Sequence, residues 1–273
     1  MTASYFSDLW ARTKRRSLEE EKAFWDLRAP EFGDVTRGRD RGDKNELVVW
    51  LKEKGALTPD AEILDIGCGT GRYALEFAPL VKRVAGLDIS PAMVELARKN
   101  ADESGLANAE FLVLPWQGLT LAEHGFDKRF SLSFASMSPA IDSPASLLAM
   151  AEASTRFCFM SGFAARHDSV ETMLMERLFP DAQNTEHEAG VYCAFNVLWE
   201  NGMHAELCYR NGGWQKDLDI TVAAKTYAAQ LRAHAPDAPS LEDAIRAELL
   251  KEGRNGTITQ TVHAKIAWLF WEV

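Results

Sequence analysis

The sequence predicts a doubly wound α/β fold on a mainly parallel sheet of seven strands. Three observations predict it. Strand-like and helix-like patterns alternate along most of the 273 residues, as strand–helix–strand units require. The run Glu62–Arg72 (Glu-Ile-Leu-Asp-Ile-Gly-Cys-Gly-Thr-Gly-Arg) carries an apolar strand into three alternating glycines, with a helical pattern at Tyr73–Ala78. A second unit follows: Arg83–Asp88 reads as a strand ending in an acid, and Ala92–Asn100 as its helix. Between them Ser90 is the N-cap and Pro91 the first helical residue.

The remaining elements follow in order. Ser17 and Glu20 fit a capping box. The helix they open carries Phe24, Trp25 and Arg28 and is expected to end at Pro30. Residues 31–44 are polar and glycine-bearing, hence a loop, and a helix over 44–54 stops at Gly55. Residues 109–114, 130–136 and 155–163 read as the third, fourth and fifth strands. Helices are expected over 170–178 and 191–201, around a polar, acidic linker at 180–190. A sixth strand, 204–210, is expected to end at Asn211-Gly212-Gly213. Helices over 220–233 and 241–251 flank a turn at 236–239. Residues 257–273 form the seventh strand, so apolar from Ile266 to Trp271 that burial on both faces is implied. The expected organisation is an N-terminal helical cover, 1–44, and a sheet domain, 45–273, with a helical insertion at about 164–203 on the substrate side.

Glycine lets a ligand approach the main chain closely, and a helix start offers unpaired N–H groups. Ligands of such sheets bind beyond the carboxyl ends of the strands. The predicted rim therefore holds residues 65–71, Asp88, 114–117, 136–142, 164–168 and 211–214. A dinucleotide fingerprint needs Gly-x-Gly-x-x-Gly. Here the glycines are Gly67, Gly69 and Gly71, and Arg72 stands where the third would fall. An NAD-dependent oxidoreductase is thereby disfavoured.

Composition narrows the function classes. The formal net charge of −10 lacks the basic footprint of a nucleic-acid binder. The triplet Lys14-Arg15-Arg16 reads as a solvated helix edge. The four cysteines, Cys68, Cys158, Cys193 and Cys208, form no Cys-x-x-Cys pair, so no metal is expected. No signal peptide or membrane-length apolar run is read. A cytoplasmic, membrane-free setting is expected.

An acid two places before Gly-x-Gly-x-Gly, with a second acid 21 positions after Gly67 (88 − 67), resembles the class I S-adenosylmethionine (SAM)-dependent methyltransferases, in particular small-molecule members of the type 11 kind. The resemblance is specific over 62–100 and looser to about 142. It implies a sheet whose last strand is antiparallel and inserted beside the fifth. It implies SAM as cofactor, held by the loop of Asp65, Gly67, Cys68, Gly69 and Gly71. Asp88 would hold the ribose, Ile89 and Leu114 would lie against adenine, and Ser136 would meet the methionine part. Phe24–Pro30 resembles a segment that covers SAM in small-molecule relatives, where Arg28 would pair with the methionine carboxylate. The alternative for Arg28 is an ion pair with Glu20 or Glu31.

Two departures limit what is carried over. The fourth strand is followed by Ser138-Pro139-Ala140-Ile141, not by the Asn/Asp-Pro-Pro-aromatic run of amide and adenine methyltransferases. The third strand is followed by Pro115-Trp116-Gln117, without the acid that often binds the adenine amino group. Trp116 is expected to cover the sheet edge. Trp25, Met137, Ser138, Trp199 and Trp214 are the candidate substrate pocket. Asp142 reads either as a substrate contact or, with Ser143, as a helix cap. His167 reads as a general base or as a solvated loop histidine. The expected activity is in-line methyl transfer to a small-molecule acceptor. The alternatives are a protein or RNA methyltransferase and a SAM-binding protein without transfer activity.

Overall fold

Strand β1 (Glu62–Ile66) is flanked on both sides by parallel neighbours, β2 (Arg83–Asp88) and β4 (Phe130–Ser136). That position explains why four of its five residues are buried. Strand β3 (Ala109–Val113) runs parallel to β2, and β5 (Ser154–Asp168) parallel to β4. The full order is β3-β2-β1-β4-β5-β7-β6, with β6 at Glu206–Asp219 and β7 at Thr257–Glu272. The sheet is mainly parallel, with antiparallel last strands, and β7 is inserted beside β5 as expected. This computed structural model describes residues 5–12, 16–33, 45–182, 189–235 and 239–273.

The chain divides into two compact units. The first comprises Met1–Gly162, Gly190–Cys208 and Ala267–Val273. It contains β1–β4 and the helices α1 (Tyr5–Ala11), α2 (Leu18–Phe32), α3 (Glu46–Glu53), α4 (Arg72–Phe77), α5 (Pro91–Glu103) and α6 (Pro144–Ala153). Residues 190–200 of α8 (Ala189–Glu200) also belong to it. Register explains its aromatic core: Phe134 on β4 lies opposite Phe159 on β5, and their rings stack at 5.0 Å. Phe77 and Tyr73 of α4 meet Phe134 edge-on at 5.0 and 5.1 Å.

The second unit comprises Phe163–Ala189 and Tyr209–Ile266. Its helices α7 (Ser169–Leu178), α9 (Ile220–Leu231) and α10 (Leu241–Glu252) bury Leu174, Ala224, Tyr227, Ile245 and Leu249 together. The buried Asp168 carboxylate organises one end. It caps α7 through the Val170 and Glu171 N–H groups and accepts from Arg166, the Tyr227 hydroxyl and Gln260. Three of the four boundaries between the units fall inside β5, β6 and β7, and the fourth falls at the start of α8.

Several boundaries depart from the sequence reading. Helix α2 runs through Pro30 to Phe32 and ends at Gly33. Proline gives up its own N–H bond and crowds the carbonyl four residues back, yet the helix continues for two further residues beyond it. Residues 164–168 and 211–214 are strand, not loop. The sequence places 164–168 on the rim beyond the fifth strand, yet β5 continues through it, with Ala165 and His167 exposed and Asp168 buried. Gly212 and Gly213 do not end β6. A Cβ on them would meet Ile266 at 2.9 Å and the Val262 carbonyl at 2.4 Å, so they mark close approach within the strand. The loop 34–44, Lys14 and Arg15, and most of the 180–190 linker and the 236–239 turn lie outside the described residues. Among the described residues no helix is long and apolar enough to cross a membrane.

Phe134→Ala should cost about 3–5 kcal/mol, the usual range for emptying a fully buried aromatic site. Urea unfolding followed by tryptophan fluorescence measures this. A loss below about 1 kcal/mol would mean that Phe134 does not centre the core.

Candidate functional site

The glycine loop between β1 and α4 is built by geometry that only glycine tolerates at its two ends. Gly67 has φ +70°, and a Cβ there would fall 2.0 Å from the Ser138 hydroxyl. Gly71 has φ +86°, with Ala97 and Phe111 at 3.3 Å from such a Cβ. Gly69 between them also has positive φ, but a Cβ there meets nothing within 4 Å. The loop is held by the Leu87 carbonyl, which accepts from the Gly67 and Cys68 N–H groups at 2.8 and 2.9 Å.

Asp88 joins this loop to the second βα unit. One carboxylate oxygen accepts from the Gly69 N–H at 2.9 Å, the other from the Ser90 N–H at 2.8 Å. Ser90 caps α5 by accepting from the Met93 N–H. Helix α2 closes over the same corner. Its Asp26 carboxylate accepts from the Ser90 hydroxyl at 2.5 Å and the Ala92 N–H at 3.4 Å. At the end of α2 the Phe32 carbonyl accepts from the Thr70 hydroxyl at 3.1 Å.

A cavity of about 270 Å³ lies between these parts. It brings together Asp65, Gly67, Cys68, Gly69, Asp88, Ile89, Leu114, Ser136, Met137, Ser138 and Trp25 from the sequence-predicted set. Gly71 supports the loop without lining the cavity. Met137 lies at the end of β4 with φ +54°, rare for a residue with a side chain. Its N–H donates to the Ser161 carbonyl and hydroxyl at 3.0 and 3.1 Å, which hold that conformation.

The other candidates lie elsewhere. Arg28 pairs with Glu31 at 3.1 Å, over the Phe24, Trp25 and Phe32 rings, and does not line the cavity. Ser143 caps α6, while the Asp142 N–H donates to Ser146. His167 belongs to the second unit, beside Thr172, in a separate cavity of that unit. Trp199 is exposed against His204, and Trp214 donates to Gln260 within the second unit. Neither tryptophan is among the lining residues.

Sequence reasoning missed Glu21, Phe32, Arg72, Tyr73, Leu87 and Met93 as lining residues, while Thr70 falls within the predicted 65–71 rim. Glu21 stands four residues before Trp25 and accepts its indole N–H at 2.8 Å, a pairing that helical spacing could have found. Trp116, expected at a sheet edge, is buried, lines the cavity and donates to the Ser146 carbonyl at 2.8 Å.

The cavity floor is acidic. Burial, and then the charge of Asp88, push the Asp65 carboxyl up to about 7, against the Ala74 backbone bond that favours its charged form. Burial also raises Asp88. Asp65 Oδ2 is buried with no hydrogen-bond partner. Asp65 therefore holds its proton in the folded state over a pH range where the unfolded chain has lost it. The free protein should lose stability as pH rises from about 4 to about 7. Asp65→Asn removes that penalty. It should raise the melting temperature more at pH 8 than at pH 5, by an energy of order 1 kcal/mol or more. Calorimetry at the two pH values tests this, and an equal effect at both would mean that Asp65 is ionised in the empty fold.

Comparison with known proteins places this geometry. A family described as a methyltransferase domain matches residues 57–207. The release factor glutamine methyltransferase of Vibrio cholerae is 38% identical over 98 residues, covering 35% of this chain and 33% of that protein. The 23S rRNA (uracil(1939)-C(5))-methyltransferase RlmD of Klebsiella pneumoniae is 38% identical over 102 residues, covering 36% of this chain and 23% of that protein. The chain thus spans a third or less of the length of these curated relatives. The YcgJ protein of Bacillus subtilis shares the fold, with a TM-score of 0.50, 19% identity, and coverage of 83% of this chain and 98% of that one. Because the family match takes in more than half of the chain, including the whole glycine loop and Asp88, the protein belongs to the class I SAM-dependent methyltransferases.

Proposed function

We propose that the protein transfers the methyl group of SAM to a small-molecule acceptor. The residues of the cavity fit this cofactor. The open space beside Gly69 lets a ligand reach the main chain. Asp88 has used one lone pair of each oxygen on backbone N–H groups, and the remaining pairs suit two ribose hydroxyls. Ile89, Met93 and Leu114 offer apolar surface for a purine, and the unpartnered Asp65 oxygen suits a cationic group.

SAM, when bound, supplies a methyl group already activated on a sulfonium. The protein's task is then to position and to exclude water. Trp25 and Phe32 of α2 shield the cavity, and Asp26 and the Phe32 carbonyl hold that helix down. Met137 and Ser138, at the carboxyl end of β4, line the side left for an acceptor. A general base is needed only for an acceptor that arrives protonated, and neither Asp142 nor His167 lines this cavity.

The observation that carries the small-molecule reading is the cover. A site roofed by α2 admits a ligand that fits beneath it more readily than a folded RNA or protein surface. Charge supports the same reading: among the described residues the lining holds Glu21, Asp65 and Asp88 but a single cation, Arg72, and the chain carries −10. A polyanion meets repulsion there. The two curated relatives act, by their names, on a protein and an RNA, so these classes belong in the test. Four free cysteines accord with a cytoplasmic setting.

Labelled SAM incubated with a cell extract separated into small-molecule, RNA and protein fractions should label the small molecules. Label confined to RNA or protein would defeat the reading. Asp88→Ala should weaken S-adenosylhomocysteine binding by roughly tenfold or more while the protein stays folded. Calorimetric titration reads this, with NAD as the ligand that should not bind. Helix α2 should also gain amide protection when S-adenosylhomocysteine binds. Equal exchange rates with and without it would make α2 a fixed part of the wall.

A further inference from the structure

We infer that Arg72, not Arg28, holds the carboxylate of the cofactor's amino-acid part. The inference rests on the SAM reading above and deepens it. A ligand with a free carboxylate needs a cationic partner when it leaves water. Among the described lining residues Arg72 is the one cation, set against Glu21, Asp65 and Asp88.

Position and freedom both favour it. Arg72 follows Gly71 directly, so the φ +86° glycine fixes where its side chain leaves the loop. Its guanidinium lies 5.4 Å from the centre of the neighbouring Tyr73 ring, a contact that orients the group without consuming its donors. Among the described residues it has no carboxylate partner and is exposed at the cavity. Arg28, by contrast, is bound to Glu31 and lies over the Phe24, Trp25 and Phe32 rings without itself lining the cavity. Moving it would break that ion pair and those contacts. Arg72 needs only to stay where it is.

The cavity thus has a polarity. Asp65 and Asp88 form a buried floor of carboxyl groups that a bound ammonium would favour in their charged form, and Arg72 forms a positive rim at the end of the glycine loop. An amino acid carries both signs, and this arrangement orients it with the ammonium inward and the carboxylate outward.

Calorimetry with two ligands tests the assignment: S-adenosylhomocysteine, and its decarboxylated analogue S-adenosyl-3-thiopropylamine, which lacks only the carboxylate. Arg72→Gln should weaken S-adenosylhomocysteine by roughly 10- to 100-fold and change the analogue by less than about twofold. Arg72→Lys should recover part of the loss, and Arg28→Gln should change neither ligand. Equal weakening of both ligands by Arg72→Gln would mean that Arg72 acts through the loop, and no weakening would mean that another group holds the carboxylate. Either result overturns the assignment. A wild-type protein that binds neither ligand would overturn the SAM reading itself, and the assignment with it.

Discussion

Asp88 ends a strand, and its two oxygens fix two different segments. One oxygen holds the Gly69 amide and so sets the height of the glycine loop. The other holds the Ser90 amide and so sets where α5 begins. Charge-assisted bonds to backbone N–H groups are among the stronger ones a protein makes. Here they work against the burial that raises the same carboxyl. The loop, the cap of α5 and the docking of α2 on Ser90 all follow from this one residue's placement at the end of β2. In the empty protein Asp88 is thus a structural group before it is a binding group. Its backbone bonds pre-set the direction of the lone pairs that remain.

The same economy is seen in α2. Asp26 reaches the first turn of α5, where backbone N–H groups lack partners within the helix. The Phe32 carbonyl lies at the end of α2 and would otherwise lack an intrahelical donor; it takes the Thr70 hydroxyl. Both anchors therefore satisfy groups that helix ends leave open. Both are polar and few, and they are attached to a helix on which only Phe24 and Ala29 are buried. Elements held by a few polar contacts open at lower free energy than a packed core.

What was legible in the sequence was short-range chemistry. Gly67, Gly69, Gly71, Asp65 and Asp88 could be read because a tight turn after a strand constrains residue type within a few positions. The caps at Ser17, Ser90 and Ser143 were legible for the same reason. What was not legible depends on distant partners. Asp26 and Ser90 are 64 positions apart, and nothing local says that they meet. For Arg28 the sequence offered both a ligand role and an ion pair with Glu20 or Glu31, and the pair that forms is with Glu31. The ends of β5 and β6 were misread because polar residues and paired glycines signal loops locally, whereas strand pairing decides their conformation.

The division of the chain has a consequence for its synthesis. Residues 267–273 belong to the first unit and bring Trp268, Leu269, Phe270 and Trp271 into its core. The Trp50 ring sits 5.4 Å from Trp268 and 5.5 Å from Phe270. Until the ribosome has made those residues, the aromatic face around Trp50 has Phe159 but lacks Trp268 and Phe270. More than a hundred residues separate the end of β4 from residue 267, an interval of roughly ten seconds at ordinary rates of elongation. During that time the apolar face that residues 267–273 cover in the first unit awaits its partner strand.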